Sequence, residues 1–349
     1  MERSYARELD ALSETYTLAS DWSSFIPDHV GVELARGSPI YVGSGASLAV
    51  AQLGVQLHEA LIGVPARALT PVEFCVSGLA SRLNPVVLIS DSMSNPDILT
   101  VFRRASKQSN PVILLTNKSR RQLPTAMSNG RALVVTCPRP GNDGYVATNS
   151  VLSLSLGLIG IYLKEHVLPQ DITPWLRRWV APQRAYEETI YLDHMELMCV
   201  YTPDLRHAAM DLENRLAESG LGIVQLADIR NFAHGRHVGM LSRAKTQGIL
   251  FLGTPGWSRL ISATVCLLPI WIEHRVWVTS TDWPGSNLEM LIASFGFLGI
   301  RARRRRCDPG NPRVATFGRE LFSMSFEELL PGVRSDTQPI AGMRLRGAS

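Results

Sequence analysis

Short apolar runs, each ending in small or hydroxyl-bearing residues and leading into an amphipathic stretch, recur along this chain. In the first half they are Ser38-Pro-Ile-Tyr-Val-Gly43, Asn84-Pro-Val-Val-Leu-Ile-Ser90, Pro111-Val-Ile-Leu-Leu-Thr-Asn117 and Arg131-Ala-Leu-Val-Val-Thr-Cys137. A run without polar alternation is a strand buried on both faces, and such strands belong to a parallel sheet covered by helices on each side. Helix-like stretches stand between them, from Ser47 to Leu61, Pro96 to Ser109 and Val151 to Lys164. The pattern predicts a doubly wound α/β domain.

The rhythm restarts after a proline-rich connector, Leu168 to Pro182. Met195 to Tyr201, Gly222 to Ala227, Gly248 to Gly253 and Arg275 to Thr279 read as strands. Leu205 to Ser219, a stretch through Leu268 and another through Phe297 read as helices. The expectation is two tandem doubly wound parallel-sheet (flavodoxin-like) domains, 31–180 and 185–349, the second carrying a C-terminal tail. Residues 1–30 read as a helical segment packed on the first domain or on a partner subunit. A length of 349 residues fits two domains.

Composition removes several classes. Hydrophobic residues at 45% and charged residues at 19% belong to a packed chain rather than a disordered one. The longest apolar stretch, Val151 to Leu163, is interrupted by serines and glycines and too short for a bilayer. Met1-Glu2-Arg3-Ser4 does not begin a signal peptide, so the expected location is the cytoplasm. Five cysteines without a C-x-x-C pair read as reduced core thiols, and no metal site is expected. Arg301, Arg303, Arg304, Arg305 and Arg306 read as a solvated face, or else as an anion-attracting rim. No helix-turn-helix signal accompanies them, which argues against nucleic acid as a partner.

Ligands of open α/β sheets bind outside the carboxyl ends of the strands. Three such ends stand out. Gly43-Ser44-Gly45-Ala46-Ser47 opens a helix, where glycines allow close backbone approach and free N–H groups favour an anion; a tight turn without a ligand is the alternative. In Ser90-Asp91-Ser92-Met93-Ser94-Asn95, several hydroxyl and amide groups before a helix can hold phosphate oxygens, and helix capping by Ser94 or Asn95 explains at most one of them. The third is Val146-Ala147-Thr148-Asn149-Ser150. No dinucleotide fingerprint is present, because a third glycine and an acidic residue at the end of the second strand are missing. No cofactor is expected.

Taken in order, G-S-G-x-S, S-x-S-x-S-N and V-A-T-N-S resemble the loops of the sugar isomerase (SIS) domain family. Its members bind phosphosugars through serines and threonines. The resemblance implies substrate contacts from Ser44, Ser47, Ser90, Ser92, Ser94 and Asn95, with Thr148 nearby. The family's second loop is usually S-x-S-G-x-T, so Met93 replaces a glycine and Asn95 a threonine. Asp228-Ile-Arg-Asn-Phe-Ala-His-Gly-Arg-His237 is similar to the E-x-x-H-G segment of double-SIS proteins, including the isomerase half of glucosamine-6-phosphate synthase and the fructosamine deglycases. There the histidine reaches the sugar of a neighbouring subunit and helps open its ring. That residue corresponds to His234, with His237 the alternative ring. The family's E-x-x-x-K-x-x-E helix reads Asp211-Leu-Glu-Asn-Arg215-Leu-Ala-Glu218. The resemblance therefore implies Glu218 as the base that moves a proton between C1 and C2, and Arg215 at the usual lysine. A glutamate in a dry site with a histidine nearby suits aldose–ketose chemistry.

Two departures accompany the match. The stretch from Asp308 to Glu320, where the synthase tail supplies a Schiff-base lysine, contains none; Arg313 or Arg319 polarises an oxygen but forms no imine. The first turn of the second domain, Tyr201-Thr-Pro-Asp204, lacks the family glycines, as expected of a domain without its own phosphate site. The implied function is isomerisation or deglycation of a phosphorylated sugar or amino sugar by a homodimer or larger homo-oligomer. The alternative is a non-catalytic sugar-phosphate sensor or regulatory subunit.

Overall fold

The computed structural model describes residues 4–23, 25–77, 84–163, 168–182 and 184–326. The end of the expected helix at Lys164 and the tail beyond Phe326 lie outside them. The chain begins with helices α1 (Tyr5–Asp10), α2 (Leu12–Ser23) and α3 (Asp28–Ala35). Then follow β1 (Ile40–Val42), α4 (Ala46–Ile62), β2 (Arg67–Leu69), α5 (Pro71–Val76), β3 (Val86–Ile89) and α6 (Pro96–Lys107). The first half closes with β4 (Val112–Thr116), α7 (Thr125–Ser128), β5 (Leu133–Thr136) and α8 (Asn149–Tyr162). Short helices α9 (Thr173–Trp175) and α10 (Arg184–Ile190) make the connector.

The second half runs β6 (Glu196–Tyr201), α11 (Arg206–Ser219), β7 (Ile223–Asp228), α12 (Ile229–Ala233), α13 (Met240–Arg243) and β8 (Gln247–Gly253). It ends in α14 (Ser258–Val265), β9 (His274–Val278), α15 (Gly285–Arg305) and α16 (Thr316–Ser323). Every pairing is parallel. The sheets have the orders β2-β1-β3-β4-β5 and β7-β6-β8-β9. The two doubly wound sheets expected from the sequence are present. Strand β2, three residues with one exposed, is too short and too polar to be read from the apolar pattern.

Residue alternation along the strands divides the core. Val86 and Leu88 point to an outer layer with Phe74, Ile98 and Val101, whereas Val87 and Ile89 point inward. In the second sheet, Met198, Val200, Ile249 and Phe251 face an outer layer with Phe232 and Ile261. Their neighbours Leu197, Cys199, Leu250 and Leu252 face the same inner core as the first sheet. Helices α4, α8, α11 and α15 fill the space between, and α2 packs on α8. One hydrophobic layer therefore serves both sheets. The N-terminal helices join it through Leu9, Leu12 and Tyr16.

Two sequence expectations change. Arg301 is 1% exposed and lies on the Phe297 ring, donating to the carbonyls of Leu221, Leu192 and His194. Arg303 and Arg304 pair with Glu187, and Arg305 with Asp193. The run thus ties the carboxyl end of α15, where cations oppose the helix dipole, to the connector and the start of β6. Arg303 to Arg306 remain exposed, as a solvated face requires, whereas Arg301 does not belong to that face. Of the cysteines, Cys75, Cys137 and Cys199 are buried but Cys266 and Cys307 are exposed. No helix among the described residues is long and apolar enough to cross a membrane.

Candidate functional site

The first sheet reverses its winding between β1 and β3, and the loops that follow these two strands meet in that crevice. After β1, a side chain on Gly43 would lie 2.5 Å from the Ser47 carbonyl oxygen, so only glycine fits. Gly45 is left-handed at φ 55° and begins α4. Ser44 is exposed and Ser47 half-buried at the start of this 17-residue helix, where the Ser47 and Leu48 N–H groups bond the carbonyls of Ser44 and Gly45 at 3.1 and 2.9 Å.

After β3, three of the six loop residues serve the fold. Ser90 Oγ accepts the Met93 N–H at 3.1 Å, and Asn95 Oδ1 caps α6 through the Asp97 N–H at 2.8 Å. Ser92 and Ser94 pair their hydroxyls at 2.7 Å on the open side of the loop. Met93, at the family's glycine, keeps a left-handed backbone at φ 57°. Its side chain is fully buried in the outer layer with Ile98 and Phe102, which offsets the conformational cost of roughly 1 kcal/mol.

Thr148 is different. It is fully buried, its hydroxyl lies against Val146 O and within reach of Tyr5 and Glu8, and it faces α1 rather than the crevice. The N-terminus of α8 is already filled. Asp143 accepts from the backbone of Thr148, Asn149 and Ser150 and from the Ser150 hydroxyl, at 2.6–3.2 Å. Glu8 lies alongside, accepting the Gly144 N–H at 2.7 Å, with its other oxygen buried and unpartnered. Burial, and next the charge of Asp143, push the Glu8 carboxyl up to about 7.

A stability test follows from that shift. An unfolded Glu8 ionises near 4.5 while the folded one holds its proton to about 7, so the unfolded state releases protons first as pH rises. Stability is undiminished by this group below pH 4.5, falls through pH 7, and levels off about 3 kcal/mol lower. Urea unfolding of the wild type and Glu8→Gln between pH 4.5 and 8 reads the difference. The variant should lack this decline, and parallel curves for the two proteins would refute the assignment.

The second half contributes Glu218 from the last turn of α11. Helices α4 and α11 pack side by side with opposite direction. Gln56 on α4 donates to Pro203 O before the start of α11, at 2.7 Å, while Gly45 meets its end. A side chain on Gly45 would stand 3.2 Å from Glu218 Oε1 and 3.6 Å from Asn214 Oδ1. Glu218 is thus set against the first serine loop, and burial, opposed by Asn214 and Arg215, raises its carboxyl above the usual range. Arg215 does not reach out. It is 1% exposed, doubly bonded to Asp211 at 2.7 and 2.8 Å, and stacked 4.1 Å from the centre of the Phe295 ring.

His234 ends α12, beyond β7, and is exposed; Gly235 next to it is left-handed. His237 is exposed as well, lying edge-on to Phe232. Glu218 precedes β7 and His234 follows it, so a six-residue strand, roughly 20 Å, separates them. Within one chain they do not converge. The corresponding strand ends of the second sheet are closed from inside. Glu289 on α15 takes the N–H and hydroxyl groups of both Ser280 and Thr281 on one oxygen and the Trp179 indole on the other. Asp204 accepts from Thr254 at 2.9 Å. No sequence motif marks these internal carboxylates, because each acts on a partner brought in by the fold.

No protein-family model matches the chain, and no curated protein matches it. Solved structures do. Tagatose-6-phosphate ketose/aldose isomerase from Escherichia coli superposes with a TM-score of 0.70 at 11% identity, over 89% of this chain and 96% of that one. Glucosamine-6-phosphate deaminase from Thermotoga maritima gives 0.65 at 14% identity, over 88% and 97%. The C-terminal domain of glucosamine-fructose-6-phosphate aminotransferase from Francisella tularensis gives 0.63 at 13% identity, over 86% and 96%. At such identities the likeness is one of architecture, and it extends over nearly all of both chains: this protein has the tandem doubly wound fold of the double-SIS, phosphosugar isomerase-like proteins.

Proposed function

We propose that this chain binds a phosphorylated sugar or amino sugar at the carboxyl edge of the first sheet and shifts a proton on it. Ser44, Ser47, Ser92 and Ser94 hold the phosphate, with Ser90 and Asn95 shaping the loop, and Glu218 is the base. The observation that carries this reading is the approach of Glu218 to Gly45, which brings a carboxylate of raised pKa from the second half against a serine loop of the first. Such a group accepts a proton from carbon more readily than an ordinary carboxylate does. His234 serves the ligand of a second subunit, because its own Glu218 lies at the other end of the second sheet. A homodimer or larger closed oligomer follows. Arg215 does not touch the ligand; it holds the seam from which Glu218 projects.

The phosphate assignment is tested by binding. Replacing Ser92 and Ser94 together by alanine should weaken phosphosugar affinity about 10–1000-fold, at roughly 1–2 kcal/mol for each hydrogen bond to a charged group. Unchanged affinity in the folded variant removes the site. A second reading, a sugar-phosphate sensor without turnover, is favoured by a tail that contains no lysine between Asp308 and Glu320. It keeps the cradle and predicts saturable binding without exchange of any carbon-bound proton.

A further inference from the structure

Asp91 stands in the middle of the proposed cradle, between Ser90 and Ser92, where a carboxylate repels phosphate unless something neutralises it. The neutralising group is Arg139, from the loop after β5. Its Nη2 donates to Asp91 Oδ1 at 2.8 Å and to Asn142 Oδ1 at 3.3 Å, and its Nη1 to the carbonyl of Gly141. The Arg139 side chain is 5% exposed, whereas that of Asp91 is 41% exposed. The cation is therefore fixed and enclosed while its partner can turn to solvent. The backbone of Asp91 is braced separately, its carbonyl accepting from Thr116 Oγ1 at 2.7 Å and from the Asn117 N–H at 3.3 Å. The side chain can release the guanidinium without the loop coming apart.

We propose that Arg139 is a phosphate-binding residue of this site, held by Asp91 when the site is empty and transferred to the phosphate dianion when it is filled. The inference rests on the phosphosugar reading above and adds to the serine cradle a fixed positive charge that selects doubly ionised phosphate. A planar guanidinium forms two parallel hydrogen bonds to phosphate, stronger than neutral ones, and a dianion outcompetes a single carboxylate for it. Asp91 keeps the enclosed cation from standing unpaired in the meantime.

The two halves of the pair then act with opposite sign, which a mere clamp between loops does not do. Calorimetric titration with inorganic phosphate and with glucosamine 6-phosphate, on wild type, Asp91→Asn, Arg139→Gln and Arg139→Lys, measures this. Asp91→Asn should tighten phosphate binding about 3–10-fold, since it frees the guanidinium and removes a repulsive charge. Arg139→Gln should weaken it at least about 10-fold by leaving Asp91 uncompensated, with Arg139→Lys in between. Because Lys keeps the charge, that variant gives the reading if Arg139→Gln fails to fold. Equal weakening by Asp91→Asn and Arg139→Gln, or no change in either, overturns the role of Arg139 while leaving the serine cradle standing. Absence of phosphate binding in wild type and all three variants overturns both. Binding that appears only in Asp91→Asn supports the transfer, with the resting pair too strong to open.

Discussion

Glu218→Gln should lower solvent-proton exchange at C2 of a bound hexose phosphate by about 10²–10⁴-fold, the usual contribution of a general base, while leaving affinity within a few-fold. The amide fills the same space beside Gly45 and can still meet Asn214, but it cannot take a proton from carbon. Because burial raises the Glu218 carboxyl, exchange in the wild type should switch on with rising pH above the range of an exposed glutamate. Nuclear magnetic resonance in deuterated water follows both the rate and its pH dependence. The two halves of the site can then be separated. Mixing Glu218→Gln with His234→Asn, each inactive alone, should restore up to half of the wild-type activity in each hybrid dimer, because one site regains both groups. Normal exchange by Glu218→Gln would sink the proton-transfer assignment and leave the sensor reading in its place.

Whether such chemistry was legible beforehand depends on how local each signal is. Strands β3, β4, β6 and β8 announce themselves, since a strand buried on both faces must be apolar along most of its length, although β6 opens on Glu196 and β8 on Gln247. The serine loops are equally plain, being contiguous and placed at strand ends. Helix α11 misleads. Its stripe His207, Asp211, Arg215 and Glu218 has helical spacing and the polarity of a solvated face, yet the first three are buried between the two sheets. Each meets something remote in sequence: His207 bonds Ala49 O at 2.8 Å, Asp211 takes the Ser294 hydroxyl at 2.9 Å besides its helix neighbour Arg215, and Arg215 lies on the Phe295 ring. Thr148 fails for the same reason. Its loop looks open until α1, some 140 residues earlier, is seen to bring Tyr5 and Glu8 against it. Arg139 and Asp91 are 48 residues apart and fall in no common motif. Patterns within one element could be read; pairs created by folding could not.

Asp211→Asn should destabilise the protein by about 3–5 kcal/mol, a large part of the roughly 5–15 kcal/mol that holds a typical domain together. Asp211 is fully buried and Arg215 1% exposed, in a layer shared by both sheets. Removing the carboxylate leaves a guanidinium that is always charged, cannot escape to water, and is left with the face of Phe295 and the weaker influence of Glu218. The cost is that of the unpaired charge rather than the net worth of the pair. An apolar replacement of both partners, Asp211→Leu with Arg215→Met, should therefore recover most of the loss, although each single change is damaging. Urea unfolding of the three proteins checks this, and a loss below about 1 kcal/mol for Asp211→Asn would contradict it. The double variant also isolates what the pair does for Glu218. Arg215 lowers the Glu218 carboxyl while Asp211 raises it, with Arg215 the larger of the two influences. Removing both while keeping the fold should thus move the rising limb of C2 exchange to higher pH. A change in stability alone, with the limb unmoved, would make the pair structural and nothing more.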